Sequence, residues 1–464
     1  MTVRAIFTMS TRSDVKIAFV TQPWGNAGSF SEGSSSISTL TYQIARRLAQ
    51  SHEVLLYGSW ARRQGGRQDH DGIRYRRIST AAEEIWIKGI TLLDLILNLR
   101  SPRRPFFSSS LYYLGFALQA AFDLRRQGCD IVHIHNFSQF VPLIRALNPD
   151  VKIVLHMHCE WLTQLDRSTV ERRLQKADFV LGCSDYITHG IQQRFPQLAN
   201  RCHSVHNGVE VETFTRRPRL NGEKQDMPLR ILYVGRVSPE KGVHILLDAF
   251  GSIAEDHPHV QLDVIGPAKL LAYSLNIALS KDVKVARLRR FYGRTLTERF
   301  ENQVIGRRGS YPRRLQAGLS KHAASRVRFH GCVPHVQLAD YYRKADIFVF
   351  PSVWDEPFGM PIVEAMACGV PVVATRGGGI TEIVEDGRTG LLVERDDADA
   401  LCAAILYLLR HEETRAAMGE AARRRVVEHF SWERIVDDVQ RTYERLLSNH
   451  GDFSQHALSI QAVD

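Results

Sequence analysis

The chain is poor in cysteine, with seven in 464 residues and no C-x-x-C pair among them. Cys129, Cys159, Cys183, Cys202, Cys332, Cys368 and Cys402 are scattered and odd in number. That pattern excludes a disulfide framework and a zinc ribbon, and it points to a reducing compartment. No uninterrupted apolar run approaches the roughly 18 residues of a membrane span. The opening MTVRAIFTMSTRSD is also without such a run and precedes the strand-like VKIAFV, so residues 1–14 read as a disordered start and not a signal peptide. Zinc-finger spacing, an RNP aromatic motif and basic heptads are all missing, so no nucleic-acid partner is expected. The expected setting is cytoplasmic.

The residues present are those of a globular protein, 44% hydrophobic and 24% charged, and the length suits two or three domains. A net charge of +10 calls for an anionic partner. With nucleic acid unsupported, phosphates and an anionic membrane face remain.

Apolar runs alternate with amphipathic stretches, the signature of a parallel sheet covered by helices. VKIAFV (15–20), EVLLYG (53–58), DIVHIH (130–135), KIVLHMH (152–158), ADFVLGCS (177–184) and RCHSVHNGVE (201–210) read as strands, with a helix over 37–50. The polar stretch 216–229 reads as a linker. The pattern then restarts with RILYVGR (230–236), VQLDVIG (260–266), RVRFHG (326–331), ADIFVFPS (345–352) and VPVVAT (370–375). The expectation is an α/β protein of two doubly wound Rossmann-like units, over 15–215 and 230–429. A terminal helix over 430–447 crosses back to the first unit, and a tail follows over 448–464. Two stretches stand apart. The apolar residues of 82–121 read as a pair of core helices or as an amphipathic surface that meets lipid. Residues 268–325 are an insertion dense in Lys and Arg, read as a solvated helical hairpin or an anion-binding platform.

The strongest chemical signal is DEPFGMPIVEAMACGVPVVAT (355–375). Pro361 suits the start of a helix over about 361–368, which leaves Glu356 in a loop and Glu364 one turn into the helix. The FGM amides at the helix start offer an anion or hydroxyl cradle, and the two carboxylates can accept hydrogen bonds from sugar or ribose hydroxyls. Arg236 and Lys241, five apart in a strand-to-helix loop, can point at one phosphate. No D-x-D pair stands in a suitable loop and no His/Cys ligand cluster is evident, so no metal and no cofactor is expected.

The 355–375 string resembles the E-x7-E motif of retaining glycosyltransferases of family 4 (glycosyl transferases group 1), which have the two-domain GT-B fold with a central cleft. GRVSPEKG (235–242), YYRKADIFVFPS (341–352), GGGITEIVEDGRTGLLV (377–393) and FSWERIVDDVQRTYERLL (430–447) fall in the family's order. The resemblance implies an N-terminal acceptor domain and a C-terminal nucleotide-sugar domain. It implies transfer from a UDP- or GDP-sugar to a glycan or lipid-linked acceptor, in polysaccharide or glycoconjugate biosynthesis, with possible peripheral membrane contact. It places the donor on Gly33, Ser34, Gly235, Arg236, Lys241, Val333, Glu356, Phe358, Gly359, Met360 and Glu364. His158, Glu356, Arg236 and Lys241 would carry the chemistry. Where the family's first loop has adjacent glycines this chain has GSSS (33–36), and where the family's T-x-H motif has threonine it has His156. The alternatives are a nucleotide-sugar epimerase or hydrolase on the same fold, a pyridoxal-dependent phosphorylase, or a non-catalytic scaffold.

Overall fold

The computed structural model describes residues 15–24, 36–59, 67–97, 101, 103–216, 228–268, 277–292 and 310–448. The expected disordered start, nearly all of the linker and the tail, and Gly33 and Ser34 lie outside them, as does part of the insertion. The first sheet has strands β1 (Lys16–Val20), β2 (Glu53–Ser59), β3 (Arg67–His70), β4 (Ile73–Ile78), β5 (Ile131–His135), β6 (Lys152–Met157), β7 (Phe179–Gly182) and β8 (Cys202–Ser204). Their order is β3-β4-β2-β1-β5-β6-β7-β8. The second sheet has β9 (Leu229–Val234), β10 (Val260–Ile265), β11 (Val327–Gly331), β12 (Ile347–Phe350), β13 (Val372–Thr375) and β14 (Gly390–Val393). Its order is β11-β10-β9-β12-β13-β14, all parallel. Near-continuous apolar runs such as IFVF in β12 suit strands buried on both faces.

Strand order matters for function. In each sheet the chain winds outward from a central strand in one direction and then in the other. Ligands of such sheets bind at the carboxyl ends of the strands where the winding reverses. Those points lie between β1 and β5 in the first sheet and between β9 and β12 in the second.

The structure departs from the sequence reading in four places, the first being the edge strand β14, which the five strands expected in the second unit do not include. RCHSVHNGVE supplies only the short β8, because the chain beyond it leaves the sheet edge and the Val209 amide bonds the Phe430 carbonyl at 2.8 Å. The edge pair β3–β4 is an antiparallel hairpin turned by Asp71 and Gly72, both at positive φ (52° and 74°). Of the two expected core helices in 82–121, only Leu114–Gln127 is a core helix, burying Phe116, Ala117, Ala120, Ala121 and Leu124. The other, Ala81–Leu97, buries Ile87 but leaves Ile85 76%, Trp86 47% and Leu93 49% exposed. No helix among the described residues is long and apolar enough to cross a membrane.

The terminal helix Trp432–Ser448 buries Trp432, Ile435, Val436, Val439, Tyr443 and Leu446, one stripe at helical spacing. The stripe packs into the first domain's core with Ile17, Phe19, Leu40, Ile44 and Val54. Arg47 of the helix Ser36–Leu48 pairs with Glu433 at 2.9 Å. Gly208 makes room for the Trp432 ring, since a Cβ there would sit 2.5 Å from it. Trp432→Ala is expected to cost about 3–5 kcal/mol, read as a lowered midpoint in urea. A change within error would show that the helix does not hold the two domains together.

Candidate active site

At the second sheet's reversal point, two loops meet. The loop after β9 carries Gly235 through Gly242 into the helix Val243–Asp256, and the loop after β12 carries Pro351 through Gly359 into the helix Met360–Ala367. Gly242 is required where they touch: its φ is 70° and a Cβ would lie 1.8 Å from the Pro351 carbonyl oxygen. The contact brings Lys241 Nζ to 2.6 Å from Glu356 Oε1. The same oxygen accepts Ser352 Oγ at 2.8 Å and Trp354 Nε1 at 2.5 Å, which leaves Oε2 without a protein donor among the described residues. Burial pulls the Lys241 pKa down and Glu356 pushes it back up, with the net shift downward. Lys241 also lies 5.0 Å from the Trp354 ring centre, a cation–π contact.

Arg236 is held by Glu240, a fully buried carboxylate that the sequence reading did not single out. Its Oε1 accepts Arg236 Nη2 at 3.0 Å and Ser238 Oγ at 2.7 Å, and its Oε2 accepts Tyr292 Oη at 2.8 Å. Glu240 thus aims the guanidinium, and Tyr292 ties this loop to the insertion.

Glu364 sits one turn into the helix Met360–Ala367 and is 4% exposed. His335 Nε2 donates to its Oε1 at 2.7 Å and Tyr342 Oη to its Oε2 at 2.8 Å. Burial opposes protonation of His335, but Glu364 outweighs it and raises the His335 pKa. Phe358 is buried beside His206 and Phe430. Gly359, at φ 127°, and Met360 open the helix with Pro361 in its first turn, so the first-turn amides face outward from its start. Val333 is half-buried in the loop after β11.

Across the cleft, β5 ends in His135 and β6 ends one residue before His158. His133, His135, His156 and His158 alternate along neighbouring parallel strands, with His135 opposite His156, so all four rings share one face. His133 Nε2 meets His156 Nδ1 at 3.1 Å, His135 Nδ1 meets His158 Nε2 at 3.0 Å, and His133 Nδ1 meets Tyr443 Oη at 2.6 Å. Burial lowers all four pKa values; neighbouring histidines add to this for His133, His135 and His158, and His156 is brought to about 3. The sequence showed no ligand cluster, yet folding creates one: ring nitrogens of His133, His135 and His156 lie within 4.8 Å of one another. Strand pairing makes it, and no sequence spacing reports it. Asp185, His206 and Glu382 form a second such group. There Glu382 accepts the Asp185 and Tyr186 amides at 2.8 and 2.7 Å and His206 Nε2 at 3.0 Å, joining the second domain to the start of a first-domain helix.

His158 has its ring committed to His135, and its amide donates to Asn136 Oδ1 at 2.7 Å. Asn136 itself holds a left-handed φ of 62°. The residues that follow His158, Cys159 and Glu160, line one cavity with Trp354, Asp355 and Pro357. The structure therefore brings Arg236, Lys241 and Glu356 together and sets the His158 loop opposite them. Glu364 lies one turn into the helix that follows the Glu356 loop, and Val333 lies two residues before the His335 that bonds Glu364.

Residues 37–213 match Glycosyltransferase Family 4, and residues 218–425 match Glycosyl transferases group 1. The chain is similar to the lipopolysaccharide 1,2-N-acetylglucosaminetransferase of Salmonella typhimurium, 25% identical over 90% of this chain and 95% of that one. It is also similar to spore coat protein SA of Bacillus subtilis, 26% identical over 70% and 80% respectively. Among solved structures, sucrose-phosphate synthase from Thermosynechococcus elongatus superposes with a TM-score of 0.68 at 22% identity, over 93% of this chain and 99% of that one. HepE of Anabaena in complex with UDP gives 0.62 at 19%, over 93% and 100%. These likenesses carry the two-domain fold.

Proposed function

The chain belongs to the family 4, group 1 glycosyltransferases of GT-B fold, and from that premise we propose that it is a retaining, metal-independent enzyme using a nucleotide-diphosphate sugar. The observation that carries this reading is the Lys241–Glu356 contact at the carboxyl ends of β9 and β12, with Arg236 aimed from the same loop. Both cations and the first-turn amides of Met360–Ala367 face the place where a leaving diphosphate gathers charge. Two relatives named above support the donor class: one is an N-acetylglucosaminetransferase, and the other was solved with UDP.

In the proposed reaction the donor's anomeric carbon–oxygen bond to phosphate breaks as the acceptor oxygen bonds the same face. The acceptor proton passes to the leaving phosphate oxygen. Glu356 orients the donor sugar through Oε2. Each Glu364 oxygen keeps a lone pair for ribose hydroxyls beyond the bond it already accepts. The His158 backbone carbonyl or ring supports the developing positive charge at the anomeric carbon; of the ring nitrogens, Nε2 is already tied to His135. No metal or other cofactor takes part.

The proposed product is a glycoconjugate or polysaccharide, and the proposed setting is the cytoplasmic face of a membrane. The exposed Ile85, Trp86 and Leu93 support a lipid contact there. Binding to anionic liposomes at low salt is the expected result, and equal partitioning with and without liposomes counts against it. Proton NMR of the product tests the chemistry. An α-linked product from an α-linked donor, formed at equal rate in EDTA and only with acceptor present, is expected. A β-linked product, or acceptor-free turnover to a new sugar nucleotide, replaces this reading with an inverting enzyme or an epimerase.

A further inference from the structure

The insertion takes part in the cleft. Its residues Leu279, Ser280 and Asp282 close one side of a cavity of about 700 Å³, within the range of small-molecule sites. Glu160 and Trp161 of the first domain and Trp354 and Asp355 of the second form the other sides. Arg395 fixes the insertion in place: its guanidinium pairs with Asp282 at 2.8 Å and with Asp355 at 3.1 Å, and its carbonyl accepts Lys284 Nζ at 2.7 Å. Asp282 also caps the short helix Val283–Arg287.

The charge layout selects the occupant. Of the lining residues, the cations Arg103 and Lys281 are exposed, whereas Glu160, Asp282 and Asp355 are half-buried. Asp282 and Asp355 share Arg395. Glu160 forms no ion pair among the described residues; it accepts Tyr186 Oη at 2.6 Å and Gln164 Nε2 at 3.0 Å. Burial raises the Glu160 and Asp355 pKa values, against the pull of Tyr186 and Arg395. A half-buried carboxyl with lone pairs to spare, lining one cavity with Trp161 and Trp354, suits a ring with apolar faces and hydroxyl edges. An anionic group at that depth meets three carboxyls and one arginine that is already paired.

We propose that the insertion and Glu160 build the acceptor pocket, and that it takes an acceptor whose reacting terminal sugar is uncharged and bears no phosphate. The proposal rests on the sugar-transfer reading above. Glu160 is a specificity-determining residue in it, hydrogen-bonded to acceptor hydroxyls, and Asp282 positions the wall.

Saturation-transfer NMR on the full-length protein, with methyl α-D-glucopyranoside and glucose 6-phosphate as probes, tests it in wild type, Glu160→Gln and Asp282→Ala. The glycoside is expected to bind about tenfold tighter than the phosphate. Glu160→Gln weakens it about tenfold, the loss of one charge-assisted hydrogen bond, and Asp282→Ala weakens it by a similar factor through the displaced wall. Stabilisation by nucleoside diphosphate stays at the wild-type level in both variants, which shows that they fold. Equal or tighter binding of glucose 6-phosphate overturns the proposal, as does glycoside binding that is absent from wild type or intact in both variants. The glycoside comparison is read with and without nucleotide. A failed donor site therefore shows as missing nucleotide stabilisation while the pocket is still decided.

Discussion

Replacing Glu356 with alanine is expected to lower sugar transfer by about 10²–10³-fold, the range seen when a preorganised electrostatic group is removed. Two losses combine. The donor sugar loses a carboxylate whose Oε1 is pinned by Lys241, Ser352 and Trp354 so that Oε2 is held in one place. Lys241 loses its counter-charge while staying buried, and burial already lowers its pKa. Without Glu356 the ammonium moves further toward its neutral form and no longer opposes the charge on the leaving diphosphate. Glu356→Gln keeps the shape and the Ser352 contact but not the charge, so its activity falls between the two. The check is kcat and donor KM for wild type and both variants. The loss is expected in kcat, because the interaction strengthens as the phosphate leaves. A change confined to donor KM would make Glu356 a uniform binding group and would remove it from the chemistry.

Acidification between about pH 6 and 5 is expected to destabilise the first domain steeply. His133, His135, His156 and His158 are held neutral in the fold, their pKa values pushed below the ordinary 6.5 by burial and, for three of them, by one another. The sign follows from proton counting. Below the unfolded value the unfolded chain binds a proton at each site and the folded chain does not, so stability falls as pH falls. Each such site contributes about 1.4 kcal/mol per pH unit, and four give about 5 kcal/mol per unit, comparable to the whole stability of many domains. In the second domain His244, lowered to about 4, acts in the same direction, and His335, raised by Glu364, acts against it. Urea midpoints measured across this range give the slope. His156→Thr should reduce it by about a quarter. A flat profile would mean that the histidines are charged in the fold or open to water.

The positions of most strands were legible because strands buried on both faces write apolar runs into the chain. The hairpin β3–β4 was hidden because its residues, RQDH and IRYRRI, are those of a charged sheet edge, and only the Asp71-Gly72 turn marks it. The exposed helix Ala81–Leu97 was half misread, since an apolar stretch looks the same whether core or another surface covers it. Around the site, Arg236, Lys241, Glu356 and Glu364 could be found because they stand in short strings whose local geometry and order resemble a family's. Their supports could not. Glu240 and Tyr292 are 52 residues apart, and His335 and Glu364 are 29 apart, brought together by pairing and packing alone. The histidine stack is the same case: H-x-H twice says that rings share a face, but only parallel pairing of β5 with β6 puts the two faces side by side. The insertion read as a solvated helical hairpin or an anion-binding platform because its charges are many, whereas the residues that enter the cleft are few and plain.

Isothermal titration of UDP and GDP into the full-length protein in EDTA tests most directly the claim that the second sheet's reversal point is a metal-independent donor site. One of the two is expected to bind, and Lys241→Ala to weaken it by at least about tenfold, the worth of a charge-assisted phosphate contact. Binding that requires a divalent cation, or no binding of either nucleotide to wild type, would contradict the account.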